Sequence, residues 1–222
     1  MRRVKKKQHT QIYTIDLIQE ISRDILDFWR NDLGCIINIM DIETIPNHIK
    51  QKVKSKFKYI FKYLEKGNLF DCLHINVDTY YACIILFTLY SRIMYKKSIK
   101  MYKNDKKIYL FMEMGLNIYN IKINKELELN NINKLALLLP FQISENVLHQ
   151  IQGKQIIYLY LFKCINIKQT IRKILHYQHK RIDTLEKYNR FPNRNKILKR
   201  EFTIEEIDYL DEMYYNNFNF IF

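Results

Sequence analysis

Glycine and proline are scarce in this chain, with 4 and 3 among 222 residues. That scarcity excludes collagen-like chains, flexible linkers and turn-dense all-β folds. No CxxC pair occurs among Cys35, Cys72, Cys83 and Cys164, and no histidine stands at zinc-finger spacing to them. A structural zinc site needs four convergent nitrogen or sulfur ligands, usually in close pairs. A disulfide framework suits small secreted chains rather than one of this size, so the cysteines read as reduced, buried thiols. The longest apolar runs, Tyr80 to Tyr90 and Ile156 to Phe162, fall short of the roughly 20 residues of a membrane span. The basic stretch at the start is followed by no apolar core, so no secretory signal is read there. Neither a P-loop, a G-x-G-x-x-G nor a G-x-S-x-G is present.

What is present suits one folded domain. Hydrophobic residues make up 48%, enough for a sizeable core, and charged residues 27%. Aromatics reach 14%, almost all Tyr and Phe. The net charge is +14, and its distribution says more than its size. Residues 1–15 carry +5 from Arg2, Arg3, Lys5, Lys6 and Lys7 without an acid. Residues 172–200 carry +8, and residues 201–222 carry −6. A basic segment therefore runs directly into an acidic one. Two readings stay open: the two neutralise each other inside the fold, or the basic one faces an anion. Lys, Asn, Ile and Tyr all have A/T-rich codons, so mutational drift is a further source of lysine.

Apolar spacing of three and four predicts helices along most of the chain. One runs over 15–30 with Leu17, Ile18, Ile21, Ile25, Phe28 and Trp29, ending near Gly34. A second follows Pro46, with Ile49, Val53, Phe57, Ile60, Phe61 and Leu64 inside and a row of lysines outside, and stops at Gly67. A third, capped at Asp78 or Thr79, reaches about Tyr95. Ala82 to Phe87 is apolar nearly all round, which marks this helix as the buried centre. A fourth spans 100–117 and ends at Gly115. Ile118 to Leu129 reads as a short hairpin or an Asn-rich insertion. Ser144-Glu145 opens a short helix, and a long stretch from Gln155 to Tyr188 follows Gly153 with a break near 165–167. Thr203-Ile204-Glu205-Glu206 matches a capping box for a last helix over 204–215. The expected fold is all-α, with antiparallel helix hairpins stacked in a tetratricopeptide-like array. The basic arm is 1–15, the single helical domain 16–216 and the tail 217–222.

The segment Tyr188-Asn189-Arg190-Phe191-Pro192-Asn193-Arg194-Asn195, followed by Arg200 and Thr203-Ile204-Glu205-Glu206, resembles the C-terminal signature of the bacterial-type domain of unknown function 924 family. That signature reads roughly F-G-R-F-P-H-R-N, then L-G-R, then S-T-x-E-E. Ile25-Leu26-Asp27-Phe28-Trp29 is similar to its opening L-D-F-W. Leu139-Pro140-Phe141, Ser144-Glu145 and Gln150 are similar to its P-x-x-H-S-E and later Q. Ile84 to Tyr95, with Arg92, resembles its buried helix. The resemblance covers about 25–215 and implies an all-α, tetratricopeptide-like fold. Several positions depart from it: Ser91 for Pro, Ile93 for Asn, Ile143 for His, Asn189 for Gly and Asn193 for His, with Arg181 where a further His falls. Whatever those histidines do in relatives is lost here.

Among the retained residues, Arg92, Arg190, Arg194, Asn195 and Arg200 are candidates for an anion clamp, because a guanidinium matches phosphate or carboxylate bidentately. Ser144, Glu145, Thr203, Glu205 and Glu206 are the competing candidates for a structural lock, pairing with those arginines and fixing the last helix. His176 and His179 have helical metal-pair spacing, but Arg172, Lys173, Lys180 and Arg181 repel a cation, so neither metal nor cofactor is expected. Ser144 has no histidine beside it in sequence, and His149 lies beyond the next turn. No catalytic residue is assigned, and an enzyme is the less favoured class. Arg2, Arg3, Lys5, Lys6 and Lys7, and basics interleaved with Tyr177, Tyr188 and Phe191, are the nucleic-acid candidates. The expected function is a non-catalytic scaffold or interaction protein without a membrane span. It is expected inside the cell, cytoplasmic or mitochondrial, in a larger assembly such as an organellar ribonucleoprotein, with protein partners and RNA on its basic surfaces. The alternative is a protein or enzyme that binds a small phosphate or carboxylate through the Arg-Phe-Pro-Asn-Arg-Asn segment.

Overall fold

A computed structural model describes residues 13–34, 39–121, 132–163 and 168–215. The elements are helices α1 (Ile15–Asn31), α2 (Asn47–Tyr63), α3 (Val77–Ile85), α4 (Ser91–Met94), α5 (Asp105–Ile118), α6 (Leu138–Ile143), α7 (Val147–Lys163), α8 (Lys168–Tyr188), α9 (Asn195–Leu198) and α10 (Ile204–Tyr215). Short 3-10 and π turns join several of them, and no strand occurs among the described residues. The fold is all-α.

The continuous stretch from α3 through the π turn Leu86–Tyr90 into α4 is the buried centre, with every residue from Thr79 to Ile93 out of solvent. Two of its buried hydroxyls are satisfied within the helix itself. Thr88 Oγ1 donates to the Ile84 carbonyl at 2.6 Å, and Ser91 Oγ to that of Phe87 at 2.7 Å. Two tyrosines tie this centre to its neighbours: Tyr90 donates to the Ile25 carbonyl on α1 and Tyr80 to the Met112 carbonyl on α5. Helix α1 lies along α3, α2 packs on α4 and the π turn, and α6 bridges to α7, which pairs with α8. Phe28, Phe57 and Tyr90 form an aromatic knot where α1, α2 and the centre meet.

Helix ends differ from expectation where a contact outweighs a local signal. The third helix is capped by Asn76, whose Oδ1 accepts the Thr79 N–H at 2.8 Å, rather than by Asp78 or Thr79. The fourth starts at Asp105 instead of 100 and continues past Gly115 to Ile118. Gly115 is not a stop: a Cβ there would meet the Tyr80 ring at 2.1 Å, so glycine lets α5 lie flat on that ring. Gly153 likewise sits inside α7, where a Cβ would meet that of Phe141 at 2.6 Å. Gly34 and Gly67, with φ of 56° and 138°, are the true helix-ending glycines. The hairpin expected over 118–129 falls almost wholly outside the described residues, as do the arm 1–12, the tail 216–222, Cys35 and Cys164. Cys72 and Cys83 are buried free thiols.

Candidate functional site

The signature segment turns back from α8 onto the start of α10 and the α6–α7 corner. Thr203 caps α10: its Oγ1 accepts the Glu206 N–H at 3.2 Å, while Glu206 Oε2 accepts the Thr203 N–H at 3.0 Å. The same carboxylate takes Arg190 bidentately, Nε on Oε1 at 2.6 Å and Nη2 on Oε2 at 2.8 Å. Asn195 Nδ2 adds a fourth donor at 3.0 Å. These bonds, that from Arg190 foremost, hold the Glu206 carboxyl below its ordinary range. Glu205, one position earlier, points to solvent.

Glu145 forms a second centre. Arg200 grips it bidentately at 3.0 and 2.7 Å, and the Phe191 N–H donates to Oε1 at 3.0 Å. Burial pushes this carboxyl up, but Arg200, Arg194 and the Phe191 amide together pull it below its ordinary value.

A third centre was not legible in the sequence. Asp105, at the start of α5, receives Arg92 Nη2 at 2.7 Å and Arg194 Nη1 at 3.3 Å. Both arginine side chains are 2% exposed. Arg194 also donates to the Ile143 carbonyl at 2.9 Å, and Tyr102 lies under both guanidiniums. Burial raises the Asp105 carboxyl despite the two cations beside it. Each arginine of the candidate clamp, Arg92, Arg190, Arg194 and Arg200, is thus bonded to a carboxylate already present. Arg181 is buried against Gln178, whose amide continues to Gln150. Gln150 in turn donates to the carbonyls of Phe141 and Ser144, pinning the α6–α7 corner.

Between α5, that corner and the returning segment opens a cleft of about 770 Å³. Its lining includes Lys103, Lys106, Tyr109, Glu113, Asn146 and His149, besides the signature residues. Here the sequence reading needs correction. Ser144 does have a histidine partner, its Oγ lying 2.8 Å from His149 Nδ1. The extended backbone of Ser144, ψ 134°, separates α6 from α7 and folds the hydroxyl back over the first turn of α7. Spacing of five on a continuous helix does not bring two side chains together, so only the bend between two helices reveals the pair. Among the described residues no group of three or more His, Cys, Asp and Glu side chains could hold a metal. His176 and His179 instead meet the rings of Tyr177 and Tyr158.

The nucleic-acid candidates Arg2, Arg3, Lys5, Lys6 and Lys7 lie outside the described residues. Their attachment point is defined: Tyr13 packs on Tyr63 near the end of α2, ring centres 4.6 Å apart. Helix α2 carries Lys50, Lys52, Lys54, Lys56, Lys58 and Lys62 without an acid. Lys56 meets Asp24 of α1 at 3.0 Å and Lys52 lies 3.8 Å from Asp32. Tyr59 stands 68% exposed among them, with Lys56 and Lys62 three positions before and after it and Lys66 a turn beyond. Glu65 then joins this face to the turn before α5 through Lys103 at 3.4 Å. By contrast, Arg181 and Arg194 of the 172–200 segment are buried, and Arg190 and Arg200 turn onto carboxylates. No described helix is long and apolar enough to cross a membrane.

A family model described as "Bacterial protein of unknown function (DUF924)" matches residues 25–213. The solved structure of a protein of unknown function, ATU0120 from Agrobacterium tumefaciens, is similar with a TM-score of 0.66 and 21% identity. The match covers 87% of this chain and 98% of that one, and at this identity it speaks for the fold alone. No curated protein matches the chain.

Proposed function

The chain belongs to the DUF924 family, and we propose that it is a helical interaction subunit of an intracellular ribonucleoprotein, cytoplasmic or mitochondrial, that binds single-stranded RNA along α2 and the N-terminal arm. The observation that carries this reading is the run of six lysines on α2, a helix with no acid of its own, around exposed Tyr59, beside the point where the basic arm joins the body. Lysines supply phosphate contacts with release of counterions, and an exposed ring supplies a stacking platform for a base. The 172–200 segment contributes less to such a surface, because Arg181, Arg190, Arg194 and Arg200 are engaged inside the fold. The anion-clamp alternative is dropped for the same reason, since a ligand would have to displace a resident carboxylate from each guanidinium. Leu110, Met114 and Ile118, exposed at successive fours on α5, favour protein neighbours in the same assembly.

The test is fluorescence anisotropy of a labelled single-stranded RNA with the full chain across a salt series. Neutralising four to five phosphates predicts a log–log slope of about −3. Lys58→Glu with Lys62→Glu should flatten that slope, and Tyr59→Ala should weaken binding about 5- to 100-fold, the loss of one stacked base. Salt-insensitive binding, or binding indifferent to these changes, would overturn the proposal.

A further inference from the structure

The Ser144–His149 pair takes no part in the lock or in the α2 surface, and it faces the cleft. Its geometry is held from three sides. Gln150 binds the Ser144 carbonyl at 2.6 Å, which sets the bend that carries the hydroxyl. The imidazole lies flat on the Tyr109 ring, centres 3.5 Å apart and planes within 1°. Tyr109 itself donates to Gln152 Oε1 at 2.8 Å, so α5 and α7 jointly fix the ring's orientation. Burial lowers the His149 pKa against the opposing charge of Glu113, one turn along α5, which leaves a neutral imidazole able to accept a proton. Asn146 lines the same wall; its carboxamide oxygen already accepts the Leu148 N–H at 2.9 Å, so the group it offers the cleft is an NH₂ donor.

We propose that Ser144 and His149 act as nucleophile and general base in the hydrolysis of a small carboxylic ester bound in this cleft, with the Asn146 carboxamide as donor to the oxyanion. A nucleophile bonded to a base, the base oriented by a third group and an amide beside them are the parts that acyl transfer needs. Ser144 Oγ attacks the ester carbon while its proton passes to His149 Nδ1. The tetrahedral intermediate expels the alcohol, which takes that proton. Water then attacks the acyl-serine, again losing a proton to His149, and the carboxylic acid leaves as the serine is restored. The competing reading is purely local: Ser144 Oγ also accepts the Asn146 N–H at 3.2 Å, the bond of a serine that only starts a helix.

A fluorophosphonate separates the two, because it reacts with an activated serine, forming an O–P bond and releasing fluoride, and ignores a helix-capping one. Intact full-length protein should be phosphonylated at Ser144, located by peptide mass spectrometry. Labelling should vanish in Ser144→Ala and fall at least about 100-fold in His149→Gln, the usual contribution of a general base. Its rate should rise with pH to a plateau whose midpoint lies below the ordinary imidazole value of about 6.5. 4-Nitrophenyl acetate should be hydrolysed by wild type and at least about 100-fold more slowly by His149→Gln. Folded wild-type protein that resists the probe, labelling at another serine, or equal labelling of His149→Gln would overturn the proposal. The His149→Gln comparison stands even where Ser144→Ala fails to fold.

Discussion

Replacing Asp105 by Asn removes one negative charge and almost no volume. In the native state its carboxylate lies 2.7 Å from Arg92 and 3.3 Å from Arg194, both buried. At an effective dielectric of 20, each such attraction is worth about 5–6 kcal/mol before desolvation is counted. Burial of the carboxylate more than offsets this, as its raised pKa shows. That relief does not save the variant. Arg194 keeps the Ile143 carbonyl and Glu145 at 4.0 Å, whereas Arg92 keeps the Thr88 carbonyl at 3.1 Å and, among the described residues, no second carboxylate. Breaking a buried pair from one side typically costs about 3–5 kcal/mol, because a buried charge loses its compensation. For a chain of this size that corresponds to a fall in Tm of roughly 6–20 °C. Thermal and guanidinium unfolding followed by circular dichroism measure it. Arg92→Met combined with Asp105→Asn should cost at least about 1 kcal/mol less than the sum of the two single changes. A stability loss for Asp105→Asn under about 1 kcal/mol, or strict additivity, would refute the reasoning.

Gly115→Ala sets helix propensity against packing: alanine gains about 1 kcal/mol in a helix, but its Cβ would fall 2.1 Å from a buried ring anchored through Met112. Packing should win by ~2 kcal/mol, read by denaturant unfolding; a variant as stable as wild type would contradict the contact. Thr203→Ala should cost about 0.5–2 kcal/mol through loss of the cap on α10, and proteolysis should then begin in residues 200–215. Glu145 and Glu206 have lowered carboxyl pKa values, so their stabilisation is present above the ordinary carboxylate range and lost as pH falls through their own values. Asp105, raised, acts in the opposite sense. Tm should therefore drop below about pH 4, and Glu206→Gln should flatten that part of the profile relative to wild type.

Local physics made much of the framework readable. Apolar residues at threes and fours marked α1, α2 and the buried α3, and Thr203 with Glu206 announced the cap of α10, because these depend on neighbours within one turn. Gly115 and Gly153 misled for a clear reason. A glycine that ends a helix and one that admits an aromatic ring are identical in sequence, and only the partner, Tyr80 or Phe141, tells them apart. Asp105 gave no signal: it lies 89 residues from Arg194 and looks like any acid in a first helical turn. His149 gives no pairing signal in sequence, since its contact with Ser144 depends on a bend between two helices.

The sequence alone determined the helical class, the scarcity of turns and the lopsided charge, which follow from composition and short-range periodicity. Tertiary structure decided where that charge goes. It turned Arg190, Arg194 and Arg200 inward onto Glu206, Asp105 and Glu145, because a desolvated guanidinium needs a carboxylate within bonding distance. It left the lysines of α2 outside, beside Tyr59, since an ammonium on a flexible stem stays hydrated at little cost.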